Sequence, residues 1–229
     1  MPSFKSIVLA FCGLLTAQVF AVDKTRDPEL VAQLKAAATN LDRLALLPDN
    51  SDWLFDFTAQ NMYTFSPGSV VNANAATFPA VIGNGLTMAM LNLGPCSMLP
   101  PHYHPRASNY VVAVQGTTNT YFIAENGARL VSETLTPGKM TIFPAASIHT
   151  MYNTGCTNAQ LVSALSSEDP GTHNIANGLF GLPLDLVNVA LGGTDNVNET
   201  AQSIPGVGTG SISGTAACLA RCKAQGKMI

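Results

Sequence analysis

Charge is what this sequence has least of. Of its 229 residues 11% are charged, with 11 basic and 14 acidic side chains and a net charge of −3. No basic stripe stands ready to track a nucleic-acid backbone or an anionic membrane, so polyanion binding is disfavoured. The shortage is not that of a disordered chain, because 47% of the residues are hydrophobic and unfolded segments are poor in such side chains. Long apolar runs are missing too, and none reaches the roughly 20 residues of a membrane-spanning helix. There is no Gly-rich phosphate loop and no Gly-x-Ser-x-Gly turn of the kind that presents a nucleophilic serine. Histidine is scarce, with four in the chain.

The apolar excess begins at the amino terminus. Lys5 precedes a run from Ile7 to Phe20, and Val19-Phe20-Ala21 offers side chains that a signal peptidase tolerates. This is the pattern of a secretory signal peptide over residues 1–21, cleaved after Ala21. Cys12 leaves with it, and Cys96, Cys156, Cys218 and Cys222 remain. Four cysteines in an oxidising compartment imply two disulfides with three possible connectivities. Cys96 lies near one histidine cluster and Cys156 near the other. If those segments are spatial neighbours, the favoured pairing is Cys96–Cys156 with Cys218–Cys222. An i,i+4 pair on a regular helix has poor disulfide geometry, and that is the weak point. Asn198-Glu199-Thr200 fits an N-glycosylation acceptor.

Asp27-Pro28-Glu29 reads as a helix start, and Leu30, Val31, Leu34, Ala38, Leu41 and Leu44 recur at helical spacing. From Trp53 to about Leu165 the pattern changes to short β-branched and aromatic segments. Trp53–Phe57, Leu86–Leu93, Tyr110–Val114, Thr120–Ile123, Arg129–Leu135, Met140–Phe143, Thr150–Tyr152 and Gln160–Ala164 are the expected strands. Many short strands without intervening helices argue for an all-β sandwich or barrel. Helix returns around Leu184–Leu191, a Gly/Ser/Thr-rich loop spans Gly192 to Gly214, and a short helix from Thr215 to Gln225 carries the last two cysteines.

Two histidines form Pro100-Pro-His102-Tyr-His104-Pro-Arg-Ala107. In an extended strand, residues two apart share a face, so both imidazoles can enter one cavity. A second segment, Gly138 through Pro144 to His149 and Asn153, places a third histidine after a Pro-containing turn. His173 lies outside both segments and reads as an exposed loop residue. Arg106 reads as a structural hydrogen-bonder. Asn153 either lines the cavity or closes a turn, and Met88, Met90, Met98, Met140 and Met151 are core packing rather than copper ligands.

Taken together the two segments resemble the paired motifs of the cupin superfamily, with the nearest likeness to germin-like and spherulin-like secreted proteins. The likeness extends more weakly from Asp27-Pro28 to Leu179-Phe180-Gly181, and so over most of the mature chain. It implies a cupin-type jelly-roll β-barrel over residues 53–170, a helical extension over 22–52 and a helical and loop extension over 171–229. It also implies one divalent transition ion inside the barrel, manganese in the family, held by His102, His104 and His149. Asn109 falls where the family has a glutamate ligand.

That exchange governs the functional expectation. A neutral amide is a weaker donor than a carboxylate, so copper or zinc becomes as admissible as manganese. Asn109 binds through its oxygen, hydrogen-bonds a metal-held water, or marks a degenerate site. Three histidines with an open position also describe hydrolytic zinc sites. The expected function is therefore a secreted metal-binding protein without an assigned reaction. The alternative is a metal-dependent oxidoreductase, such as an oxalate oxidase acting on a small carboxylate or a superoxide dismutase. Homo-oligomerisation is expected from the resemblance.

Overall fold

The computed structural model describes residues 23–193 and 196–227; the expected signal peptide and Cys12 lie outside them. The first helix, α1 (Pro28–Ala36), starts as its sequence predicts, with the Asp27 carboxylate accepting from Leu30 N and Pro28 in the first turn. It does not run on to Leu44. Thr39 Oγ1 accepts from Asp42 N while the Asp42 carboxylate accepts from Thr39 N, a reciprocal cap that opens a second helix, α2 (Asn40–Leu46). The break turns the second helix away from the first one's apolar face. Val31 and Leu34 are buried, whereas Leu41 is 77% exposed.

The strand expected at Trp53–Phe57 is absent. Asn50–Trp53 forms a 3₁₀ turn with Asp52 reaching back to Asp49 N, and Asp56 accepts from the Thr58 backbone and hydroxyl. These short carboxylates offer the backbone local partners, which here outweigh the strand preference of Trp53, Phe55 and Phe57.

Twelve strands follow among the described residues. They are β1 (Gly68–Ala73), β2 (Thr87–Leu93), β3 (Ser97–Met98), β4 (His102–Tyr103), β5 (Asn109–Gln115) and β6 (Thr118–Ile123), then β7 (Val131–Leu135), β8 (Met140–Phe143), β9 (Ile148–Tyr152), β10 (Ala159–Leu165), β11 (His173–Asn174) and, late in the chain, β12 (Ile212–Ser213). Between β11 and β12 lie α3 (Ile175–Leu179), α4 (Leu184–Ala190) and α5 (Val197–Ser203), and α6 (Ala216–Ala224) closes the chain. The stretch expected to be loop from Gly192 thus holds a helix, on which Asn198 stands exposed.

The strands form two antiparallel sheets, the jelly roll that the resemblance implies. One runs β1-β2-β10-β5-β8. In the other, β9 is central, with β6 along one edge, β4 and β3 along the opposite edge, and β7, β11 and β12 outside them. Period-two burial turns Leu91, Val111, Ala113 and Leu161 of the first sheet inward. They meet Leu99, Leu135 and Met151 of the second and the ring of Phe143. The amino-terminal helices pack separately, on Ala75, Ala80 and Ile82.

The disulfides correct the sequence expectation. Cys96 bonds Cys218 and Cys156 bonds Cys222, with Cα–Cα distances of 5.7 and 5.3 Å. Cys96 and Cys156 do lie on neighbouring segments, since Cys96 N donates to Gly155 O. Cys218 and Cys222 sit one turn apart on α6, where Cβ atoms stand about 5–6 Å apart, too far for the roughly 3.5–4.5 Å that a disulfide requires. Each therefore reaches out of the helix, and the two bridges lie side by side with Cys96 Sγ 3.4 Å from Cys222 Sγ. They clamp α6 onto the turns before β3 and after β9. Closing a loop with a sequence separation of 122 stabilises a folded chain by roughly 2–4 kcal/mol.

Candidate metal centre

The site lies between the two sheets. His102 on β4 stands directly opposite His149 on β9 in the antiparallel register, so both side chains leave the same face of the second sheet. His104 follows two residues on, in the connection to β5. Asn109 opens β5, and so comes from the first sheet, paired with Phe143 and Leu165. The structure thus brings together all four residues that the sequence singles out, and all four are buried.

Each imidazole is held through Nδ1. His102 Nδ1 lies 2.7 Å from Pro100 O, His104 Nδ1 2.6 Å from Gly171 O, and His149 Nδ1 2.9 Å from Ser147 O. A neutral imidazole facing a carbonyl oxygen carries its proton on that nitrogen, which leaves Nε2 with a lone pair. Burial keeps the rings neutral. It pushes His102 down to about 4, with the charge of His104 adding to the effect, and His149 to about 2, helped by His102. His104 is lowered by burial as well. Ring nitrogens of the three residues lie within 4.8 Å of one another. The His149 ring stacks on Phe143, with centroids 4.3 Å apart and planes at 12°.

Two buried polar atoms here have no hydrogen-bond partner, His149 Nε2 and Asn109 Oδ1. Orphaned atoms of this kind cost about 1–3 kcal/mol each unless something satisfies them. Asn109 Nδ2 lies 3.4 Å from His104 Nε2. Turned end for end, the amide brings its oxygen to that position, beside His104 Nε2. A single cation there would take up the Nε2 lone pairs and the amide oxygen together, so the donor set fits a borderline divalent ion.

A cavity of about 580 Å³ opens from this point, lined by His102, His104 and Asn109 together with Leu99 and Met151. Asn153, the alternative cavity residue, closes a turn instead. Its amide donates to Leu93 O, Gly94 O and Thr157 O, and its oxygen accepts from Gly155 N. His173 is exposed as expected but belongs to β11, where its Nδ1 lies 3.0 Å from the Tyr103 hydroxyl. Arg106 is structural, bonding the Asp169 backbone and carboxylate. Of the methionines, Met151 is in the core, Met90 and Met98 are half-buried, and Met88 and Met140 lie outside it on the exposed side of their strands. Sequence reasoning missed Asp23, Asn72, Asn74 and Ser163, which share the cavity through long-range register and carry no local spacing signal.

Comparison with known proteins agrees with this geometry. A family model described as Cupin matches residues 57–199. Spherulin-1A of Physarum polycephalum is 36% identical over 200 residues, covering 86% of this chain and 80% of its own. Germin-like protein subfamily 1 member 7 of Arabidopsis thaliana is 37% identical over 115 residues, covering 49% of this chain and 50% of its own. Among solved structures, an oxalate oxidase in complex with the substrate analogue glycolate superposes with a TM-score of 0.61. It is 25% identical and covers 66% of this chain and 80% of that one.

Proposed function

The chain belongs to the cupin family, and from that footing we propose that it is a secreted protein holding one divalent transition ion between His102, His104, His149 and Asn109. The observation that carries this reading is the tautomer set. Three backbone carbonyls occupy the Nδ1 positions of three buried, neutral histidines, so three Nε2 lone pairs are available to one cation. Secretion is supported by the two disulfides and by the signal-peptide pattern. No helix among the described residues is long and apolar enough to cross a membrane.

Manganese is the ion the family resemblance favours. Asn109 adds no charge, so the site keeps the full charge of the ion and relaxes its preference for a hard metal, admitting copper or zinc. When bound, the ion would act as a Lewis acid toward a small carboxylate. The likeness to an oxalate oxidase holding glycolate supports such a ligand, while the neutral Asn109 argues against reading oxalate oxidation straight across. Tyr110 and Ile142 stand opposite each other on β5 and β8 and with Val114 and Met140 leave an exposed apolar sheet face. A second copy of the chain would cover it, and sedimentation velocity checks that association.

The test is metal analysis of protein purified without added metal. About one divalent transition ion per chain is expected, as for a single ligand set; no metal, and none after reconstitution, sinks the reading. Asn109→Glu in manganese-loaded protein then asks what the amide does. Oxalate-dependent peroxide formation in the variant alone shows that Asn109 withholds the oxidase reaction, whereas activity in the unmodified chain makes it an enzyme already.

A further inference from the structure

We infer that Asn72 and Asn74 form a carboxylate-binding subsite in the same cavity, apart from the metal ligands, that the chain's own Asp23 occupies it, and that Ser163 meets a ligand reaching from it toward the histidines. The inference rests on the cavity being a ligand site, as proposed above.

The subsite is built on the inner face of the first sheet. Asn72 on β1, Ala89 on β2 and Ser163 on β10 stand in one row of the register, and all three line the cavity. The methyl group of Ala89 leaves the floor open between the two polar side chains. Ser163 is 1% exposed, and its Oγ has no hydrogen-bond partner. A buried hydroxyl facing a cavity without a partner is a donor waiting for an acceptor.

At the other end of the row two amides converge. Asn72 Nδ2 and Asn74 Nδ2 donate to the same oxygen, Asp23 Oδ2, at 2.8 and 2.7 Å. Asn74 cannot swing away easily, because its Oδ1 accepts from Ala76 N and Thr77 N. Two oriented neutral donors on one carboxylate oxygen make a carboxylate pocket, to which the charge of Arg26 adds a weaker attraction. The present occupant is replaceable. Asp23 is half-buried on an irregular segment ahead of α1, and burial raises its pKa despite both hydrogen bonds, so its charge is incompletely compensated.

Position sets the ligand class. From Asn109 on β5 to Asn72 on β1 the path crosses β10 and β2, three strand spacings, and shifts two residues along the strands, roughly 16 Å between backbones before the side chains reach inward. A ligand touching both the histidine centre and the amide pair is therefore an organic acid longer than two carbons, with Ser163 meeting it between the ends.

The test uses metal-free protein prepared over chelating resin, with succinate as the probe, so that it does not depend on the histidine centre. Isothermal titration gives the affinity, and ¹⁵N spectra follow the Asn72 and Asn74 side-chain amides. Asp23→Ala is expected to tighten succinate binding about tenfold and to let both amide resonances move on titration. Adding Asn72→Leu to that variant is expected to abolish the gain. Equal affinity with and without Asp23, or binding that leaves both amides unmoved, overturns the inference. If Asp23→Ala does not fold, Asp23→Asn keeps the volume and removes the competing charge; the same tightening is expected and its absence counts equally against the subsite. Failure of the histidines to bind metal would overturn the metal reading alone and leave this result standing.

Discussion

His149→Ala is expected to lower the metal affinity of the chain by more than roughly 100-fold, since loss of even an outer hydrogen-bond partner of a metal-binding histidine costs 10–100-fold. His149 is the informative choice because its surroundings hold it more firmly than the other two. It lies on the central strand β9, flanked by Phe122 of β6 and His102 of β4. Its Nδ1 is tied to Ser147 O and its ring is stacked on Phe143. No neighbouring side chain can take over its Nε2. Metal at about 1,000 times its dissociation constant adds about 4 kcal/mol to the stability of a protein that binds it only when folded. That increment is expected in the unmodified chain and not in the variant, read as a shift in unfolding midpoint. His173→Ala is the control, since His173 is exposed and paired with Tyr103 rather than with the triad. Metal retained by the His149 variant at the unmodified level would rule out the histidine centre.

His102 and His104 are legible from the residues alone because their geometry is local, and His149 through the paired-motif resemblance. His-x-His puts two rings on one side of an extended segment, and the Pro144 turn fixes where His149 enters β9. The all-β class is legible because alternation and turn residues mark most of its strands, whereas the jelly-roll connection is implied only by the family resemblance. β1 is not legible because polar Ser69 and Asn72 confine its β-branched residues to Val70-Val71, and Trp53–Phe57 misleads because Asp52 and Asp56 divert its backbone hydrogen bonds. Thr39 and Asp42 carry a capping-box spacing, yet the leucines beyond them keep the helical period and mask the break. The disulfide pairing depends on which way α6 faces, a tertiary fact. Asp23, Asn72 and Ser163 meet through pairing between β1, β2 and β10 and through a fold-back of the amino-terminal segment, so no spacing in the chain announces them.

Metal-free protein is expected to lose stability continuously as pH falls from 7 toward 4. His102 is held at about 4 in the folded chain against an ordinary value of about 6.5 when unfolded. Between those values the unfolded chain binds a proton that the folded chain refuses, so stability is complete above the unfolded value and drains away as pH drops through the folded one. A gap of about 2.5 pH units corresponds to roughly 3 kcal/mol. His149 and His104, also lowered by burial, add in the same direction. Asp23 opposes them, because its raised value contributes stability at low pH that is lost as pH rises; one half-buried carboxylate offsets part of what three histidines remove. Bound metal competes with the protons for the same Nε2 atoms, so metal-loaded protein keeps its midpoint to lower pH than metal-free protein does. Urea unfolding followed by circular dichroism at several pH values measures both curves. His149→Ala removes one of the titrating groups and is expected to flatten the metal-free slope. A metal-free midpoint that stays level between pH 7 and pH 4 would mean that the three rings accept protons in place, and so are not the buried, neutral ligand set described here.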